Sequence, residues 1–336
     1  MVATVNSCAY CLCLLPLISS IKSVLLLISL SPANHHQPMN TVSENCLNHL
    51  PNALIIGVQK SATTWLSKRL SQHPDIYMVP GEVHYFDHVS KFARGLDWYA
   101  SLFKDATNES VRCEKSGAYF WTTCTEVIEE PQNKPERIKQ LLPEAKLMVV
   151  LREPVSRAIS GWNHNVRSGT ISPALDINKI FSPEYADVVR QHGILTRGLY
   201  YQQMSDYLEH FDSDQILVLF FETDVLINPM AGLRKAARFL EIDSSYAFAE
   251  IAEAENKLQS TKLGVWASYF SGGLAQKAVH KIDRHFLRKL PLSKWQPAYP
   301  NAAVLAQLQE YYKAENEQLT ELIGELPRQW THSKTD

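Results

Sequence analysis

Cysteine is scarce in this 336-residue chain: six are present, at positions 8, 11, 13, 46, 113 and 124. None follows Cys124, so the C-terminal two-thirds holds no internal disulfide, which favours a reducing, cytoplasmic compartment. Cys8, Cys11 and Cys13 stand among apolar residues without a neighbouring His or acid, so no metal site is expected there, and none is expected elsewhere. An excess of charge is also lacking. The formal net charge of −2 gives no sign of a nucleic-acid partner, and any anion site must be built from a few placed basic residues. The nucleotide-binding signature GxxxxGK[ST] is absent.

A long apolar run occurs near the N-terminus, at 8–32. Its length fits a membrane span, but Lys22 lies in its middle, Pro16 interrupts it, and no Lys or Arg flanks either end. Residues 1–50 therefore divide off as an apolar leader and polar linker, with Met39 as a second possible start, and 51–332 forms the folded domain. A single-pass anchor over 8–30 is the alternative to a cytoplasmic protein.

The chemistry-bearing residues centre on 53–87. Ala53-Leu54-Ile55-Ile56 is a short apolar run ending at Gly57, as in a strand buried on both faces. The loop Gly57-Val58-Gln59-Lys60-Ser61-Ala62-Thr63-Thr64 then enters a helix expected from Thr64 to about Gln72, which His73-Pro74 stops. A helix N-terminus presents backbone N–H groups and a positive dipole end to an anion, and Lys60 adds a full charge. An ordinary strand-to-helix turn with a solvated Lys is the plainer reading. Ile76–Val79 reads as a second strand. After Pro80-Gly81, Glu82-Val83-His84-Tyr85-Phe86-Asp87 alternates, which places Glu82, His84 and Phe86 on one side if extended. A carboxylate and an imidazole converging beside an anion loop are candidates for proton transfer; a surface Glu and a packed His are the alternative.

Val111–Ser116 reads as a strand carrying Glu114 and Lys115. Lys146–Leu151 is another buried run, and Arg152-Glu153-Pro154 comes directly after it, with Pro154 suited to a first helical turn. Val155, Ile159, Trp162 and Val166 recur at helical spacing. Arg152 thus sits at the carboxyl end of a strand, where open α/β sheets bind ligands, and Ser160 lies two turns along the helix on the same side. An Arg fork and a hydroxyl suit a terminal phosphate. Residues 167–187 read as a polar loop over the cleft, 197–211 as a helix, 215–221 as a third buried strand and 302–325 as a final helix. Buried apolar runs alternating with amphipathic helices predict an α/β, P-loop-like three-layer fold with a mostly parallel central sheet flanked by helices.

These segments resemble the PAPS-dependent sulfotransferases, and the heparan sulfate sulfotransferases and their bacterial relatives in particular, over roughly 52–330. The loop at 57–64 resembles P-K-[SA]-G-T-T, with Ala62 where the family usually has Gly. Ala there is neutral in a helical turn with φ < 0 and strained if φ > 0. Residues 82–87 match E-V-H-[FY]-F-D throughout, and 152–162 match R-[DE]-P-x-x-R-x-x-S-x-[WY] at every fixed position. Glu114–Tyr119 resembles E-K-[ST]-P-x-Y, with Gly117 in place of Pro.

The resemblance implies PAPS (3′-phosphoadenosine 5′-phosphosulfate) as cosubstrate without a metal. Lys60, Ser61, Ala62, Thr63 and Thr64 would hold its 5′-phosphosulfate, and Arg152 and Ser160 its 3′-phosphate. It implies Glu82 as catalytic base, His84 as its assistant and Lys115 on the sulfuryl group or acceptor. A structural partner for Glu114, or a surface charge, is the other reading of Lys115. The implied acceptor is a carbohydrate or small-molecule hydroxyl or amine. The K-G-F-x-C motif that closes over adenosine in the heparan sulfate enzymes is missing, leaving Lys257, Ser260 and Lys262 as positional candidates. A small-molecule kinase of P-loop type and a catalytically inactive glycan-binding module are the alternatives.

Overall fold

A computed structural model describes residues 49–123, 133–249, 260–271, 279, 282–283 and 294–331. These fall within one compact unit, Asn45–Asp336. The apolar leader, the cysteines at 8, 11, 13, 46 and 124, and Lys257 lie outside the described residues. Among the described residues no helix is long and apolar enough to cross a membrane.

The apolar run after Asn52 becomes the central strand, β1 (Ala53–Gly57), with every residue buried. It leads to helix α1 (Thr63–Leu70), strand β2 (Ile76–Met78), short helices α2 (Val89–Phe92) and α3 (Gly95–Ser101), and strand β3 (Val111–Lys115). Helix α4 (Lys134–Leu141) precedes strand β4 (Lys146–Leu151), which feeds helix α5 (Pro154–Ser168). Helices α6 (Ala186–Gln191) and α7 (Tyr200–Leu208), strand β5 (Ile216–Phe220) and helices α8 (Pro229–Phe239), α9 (Lys262–Ser271), α10 (Ala302–Ile323) and α11 (Arg328–Thr331) complete the order.

The five strands form one parallel sheet in the order β2-β3-β1-β4-β5. Its strands can be apolar at consecutive positions because helices cover both faces. Leu54, Ile56, Leu147, Val149 and Leu151 pack on one side with Phe120, Met204 and Tyr207. Ala53, Ile55, Met148 and Val150 pack on the other with Leu66, Leu70, Leu233 and Ala236. Each fully buried aliphatic side chain contributes about 1.5–3 kcal/mol, so two-sided packing is what commits these runs to the sheet centre. Chain connection reverses direction across β1, between β3 and β4, and ligands of open α/β sheets bind at that position beyond the carboxyl ends of the strands.

Two expectations need correction. The third buried strand is an edge strand: among the described residues β5 pairs only with β4, and it is half-buried except at Leu219. Residues 167–187 are not a polar loop, because α5 continues to Ser168. The chain beyond it then packs Ile171, Ile177, Ile180 and Tyr185 against Trp162, Leu308 and Tyr312. Glycine at 169, in left-handed backbone (φ +78°), permits this, since a Cβ there would lie 2.5 Å from the Ser268 carbonyl carbon of α9. The acidic turn after β5 is a π-helical segment, Phe221–Ile227. In it Asp224 is buried, accepts the Phe220 N–H at 2.8 Å and pairs with Lys235 at 2.6 Å.

Candidate active site

The loop after β1 begins with a close approach. A Cβ on Gly57 would stand 2.8 Å from the Phe120 Cβ, so only glycine lets the strand end pass that ring. Beyond it Lys60 (φ +75°) and Ala62 (φ +65°, ψ +26°) both take left-handed backbone. Ala62 is the N-cap of α1 and offers no side-chain acceptor to the helix. The strained alternative for this alanine is therefore the one realised, and left-handed backbone costs a non-glycine residue roughly 1–2 kcal/mol. The turn is held by the Ser61 N–H on the Val58 carbonyl (3.1 Å) and by Arg152 Nη1, which donates to the Lys60 carbonyl (3.0 Å). Helix α1 starts at Thr63 and stops at Leu70, one residue earlier and two residues earlier than the sequence pattern indicated.

Arg152 leaves the end of β4 with its guanidinium 4.7 Å from the Phe221 ring centroid. Glu153 caps α5, accepting the N–H groups of Val155 (2.8 Å) and Ser156 (2.6 Å), which fixes the helix against the strand end. The apolar stripe of α5 (Val155, Ile159, Trp162, Val166) is buried as its spacing indicates. Its opposite stripe (Ser156, Ser160, Asn163, His164, Arg167) lines an open cavity of about 340 Å³ together with Lys60 and Arg152. Trp295, Pro297 and Tyr299 form the facing wall.

The electrostatics of this cavity favour an anion. Burial, then the charges of Arg167 and Arg152, lower the Lys60 ammonium to about 8. Burial, followed by Lys60 and Arg167, lowers His164 to about 4, so its imidazole is neutral at physiological pH. Arg152 Nε, Ser61 Oγ and His164 Nδ1 are buried and make no hydrogen bond among the described residues. Buried donors without partners are costly, and phosphate oxygens would satisfy those of Arg152 and Ser61. The residues present thus fit a polyanion bearing phosphate groups.

A second cluster adjoins Lys60. Residues 82–87 are not extended: His84 has φ +60° and Tyr85–Asp87 turn back, so alternation does not describe which side chains meet. Phe86 is fully buried, whereas Glu82 and His84 come together because of the turn. His84 Nε2 lies 3.1 Å from Glu82 Oε2, and His84 Nδ1 lies 2.8 Å from Asp87 Oδ2. Ser116 Oγ donates to the same Asp87 oxygen at 2.9 Å. Lys115 Nζ donates to Glu82 Oε1 (3.1 Å) and to Thr64 Oγ1 (3.3 Å), which joins the cluster to the first turn of α1.

Burial works against charge on both Glu82 and His84, and their partners outweigh it. Hydrogen bonds from His84 and Lys115 hold the Glu82 carboxyl down at about 2, and bonds to Asp87 and Glu82 push His84 up to about 10. At neutral pH Glu82 is a carboxylate and His84 an imidazolium donating from both nitrogens, to Glu82 and to Asp87.

Lys60, Arg152 and Ser160 therefore meet at one cavity, and Glu82, His84 and Lys115 at the cluster beside it. Lys115 is neither a surface charge nor the partner of Glu114, since it is buried and bonded to Glu82. Of the loop residues, Ser61 and Thr63 are buried, and Thr64 is exposed with its hydroxyl on Lys115. Ser260 and Lys262 do not line the cavity: Ser260 is buried, Lys262 is exposed, and the facing wall comes from 295–299 instead. Sequence reasoning missed Asp87, Ser156, Asn163, His164 and Arg167. The last four share the helical face of Ser160, a spacing visible in the sequence, whereas nothing local marks Trp295 or Tyr299.

A family model described as "Sulfotransferase domain" matches residues 50–323. Heparan sulfate glucosamine 3-O-sulfotransferase 5 of Mus musculus is 28% identical over 201 residues, covering 58% of this chain and 55% of that protein. Heparan sulfate glucosamine 3-O-sulfotransferase 3B1 of the same species is 31% identical over 192 residues, covering 57% and 46%. The chain spans about half the length of these curated relatives. The crystal structure of a sulfotransferase from Alicyclobacillus acidocaldarius superposes with a TM-score of 0.59 at 20% identity, covering 84% of this chain and 99% of that one, a likeness of fold.

Proposed function

This chain belongs to the sulfotransferase domain family, and we propose that it moves a sulfuryl group from PAPS to a hydroxyl or amine of an acceptor, in the first instance a carbohydrate. The observation that carries this reading is the convergence of Lys60, Arg152 and Ser160 on one cavity whose neighbour is the Glu82 cluster. PAPS, when bound, supplies the sulfuryl group and leaves as 3′-phosphoadenosine 5′-phosphate (PAP). Lys60 and the N-terminus of α1 place positive charge where the 5′-phosphosulfate oxygens gain negative charge. Arg152 and Ser160 supply a fork and a hydroxyl for the 3′-phosphate, and Arg167 adds a third cation to the same cavity. Trp295 and Tyr299 give the adenosine an aromatic wall.

Glu82 is the proton acceptor in this scheme. Its depressed pKa makes it a weak base toward a free hydroxyl, but the hydroxyl proton becomes strongly acidic as its oxygen bonds to sulfur. An ionised carboxylate already in place then suffices. Asp87 and Ser116 fix His84, His84 and Lys115 fix Glu82, and the two cations keep Glu82 unprotonated until transfer. This is positioning with electrostatic stabilisation, the logic of phosphoryl transfer applied to sulfur.

The test is transfer of label from [³⁵S]PAPS to a panel of unsulfated and partly sulfated glycans, with Glu82→Gln in parallel. The expected result is labelled glycan from the wild type and a loss of about 10²–10⁴-fold in the variant. No transfer to any acceptor would overturn the activity, and near-normal turnover by Glu82→Gln would overturn the base.

A further inference from the structure

Glu114 neighbours Lys115 on β3 but has no part in that scheme, and it is fully buried. Its Oε1 accepts from Tyr119 Oη at 2.8 Å and from Tyr99 Oη at 3.1 Å. Both tyrosines grip Tyr85. The Tyr119 oxygen accepts the Tyr85 backbone N–H at 2.9 Å, and the Tyr99 ring stacks on the Tyr85 ring with centroids 4.1 Å apart and planes 5° from parallel. Tyr85 is the next residue after His84, which is held at φ +60°. Positive φ in a non-glycine residue persists only where its surroundings over-determine it. Here the surroundings are two phenols whose own orientation depends on one buried acid.

We infer that Glu114 is a positioning residue for the reaction: through Tyr99 and Tyr119 it anchors Tyr85 and so sets the turn that places His84 between Glu82 and Asp87. The inference rests on the proposed role of Glu82, but its geometry stands apart from the cofactor cavity. Tyr119 donates its single proton to Glu114 while its oxygen accepts the Tyr85 N–H. Glu114 Oε1 therefore acts as a double acceptor, a role that a neutral acid or an amide fills equally. The groups that bear on Glu114 are Tyr119, Tyr99, Asp87 and His84, with the Cys113 thiol beside it on the strand. Burial raises Glu114 to about 8 against the pull of its tyrosine bonds, so it is neutral at pH 7. Ionisation above that pH adds a second anion near Asp87, in competition for the His84 imidazolium.

The experiment is ¹⁵N-histidine NMR of the full chain across pH, with the His84 signal assigned by its loss in His84→Asn. It is paired with kcat and KM from the label-transfer assay and with calorimetric PAP binding. In the wild type His84 titrates near 10. Glu114→Ala lowers that titration by about one pH unit or more and lowers kcat roughly tenfold to a hundredfold, with the PAP Kd unchanged. Glu114→Gln restores both at pH 7. Should Glu114→Ala not fold, Tyr119→Phe, which deletes only the phenol oxygen between Glu114 and Tyr85, gives the same His84 shift. A His84 titration unmoved in Glu114→Ala or Tyr119→Phe, or equal damage in Glu114→Gln and Glu114→Ala, overturns the inference. An active Glu82→Gln with the His84 shift intact would instead refute the base and leave the anchor standing.

Discussion

Lys60 offers a quantitative handle on the anion site. Its ammonium, crowded by burial and by Arg167 and Arg152, titrates at about 8 in the ligand-free chain. A bound PAP anion favours the charged form and lifts the pKa out of the working range. If PAP binds the protonated form, affinity scales as 1/(1 + 10^(pH − pKa)). Between pH 7 and pH 9 it falls about tenfold, or about 1.4 kcal/mol. The direction is set by the charge: the cation is present below pH 8 and lost above it. The second ionisation of a phosphate monoester, near pH 6, is complete before this window opens.

Calorimetric titration of PAP at pH 7, 8 and 9 reads the effect directly. Repeating pH 8 in buffers of different ionisation enthalpy should show uptake of about half a proton per PAP. Lys60→Gln binds PAP more weakly at pH 7 and loses the pH dependence, while Glu114, the other group near 8, still titrates. A variant that keeps the tenfold fall, or a wild type that shows none, refutes the placement of Lys60 at the anion. The same crowding sets the stability of the ligand-free chain. The native pKa lies below the unfolded one, so wild-type stability relative to Lys60→Gln rises between about pH 8 and 10.5.

Two predictions concern the scaffold. Ala62→Gly relieves left-handed strain of roughly 1–2 kcal/mol and gives back about 0.4–1 kcal/mol of unfolded-chain entropy. A net gain of about 0.5–1 kcal/mol in urea unfolding is expected, and a loss would contradict the strain. Gly57→Ala drives a Cβ to 2.8 Å from Phe120 and should cost about 1–3 kcal/mol, read as a lowered Tm. An unchanged Tm would show that the strand end can give way.

Much of this molecule is legible in its sequence because the relevant physics is local. Buried runs at 53–57 and 146–151 can only be sheet centre, and each gives way to a loop or helix start carrying one basic residue. That alone places Lys60 and Arg152 at one edge of the sheet. The polar stripe of α5 is equally local, and the spacing of Ser160 marks Asn163, His164 and Arg167 as plainly as the apolar stripe marks Trp162. The turn at 82–87 is different. Residues 82–87 alternate like a strand, and what bends them is a set of contacts from 30 or so positions away: Ser116 on Asp87, Tyr119 on Tyr85, Lys115 on Glu82. Trp295 and Tyr299 reach the cavity only through tertiary packing, the Trp295 N–H donating to the Ser260 carbonyl at 2.9 Å. The edge position of β5 is likewise a matter of strand order, which its apolar composition does not encode.

The ligand proposed for this cavity is a nucleotide bearing a 3′-phosphate. Calorimetric binding of PAP against ADP, on the wild type and on Arg152→Ala, tests it most directly. A hydrogen bond to a charged oxygen, at about 1.5–3 kcal/mol, predicts that the wild type prefers PAP by roughly tenfold to a hundredfold and that Arg152→Ala loses this preference, PAP affinity falling further than ADP affinity. Equal binding of the two nucleotides, with Arg152→Ala weakening both alike, would contradict the account.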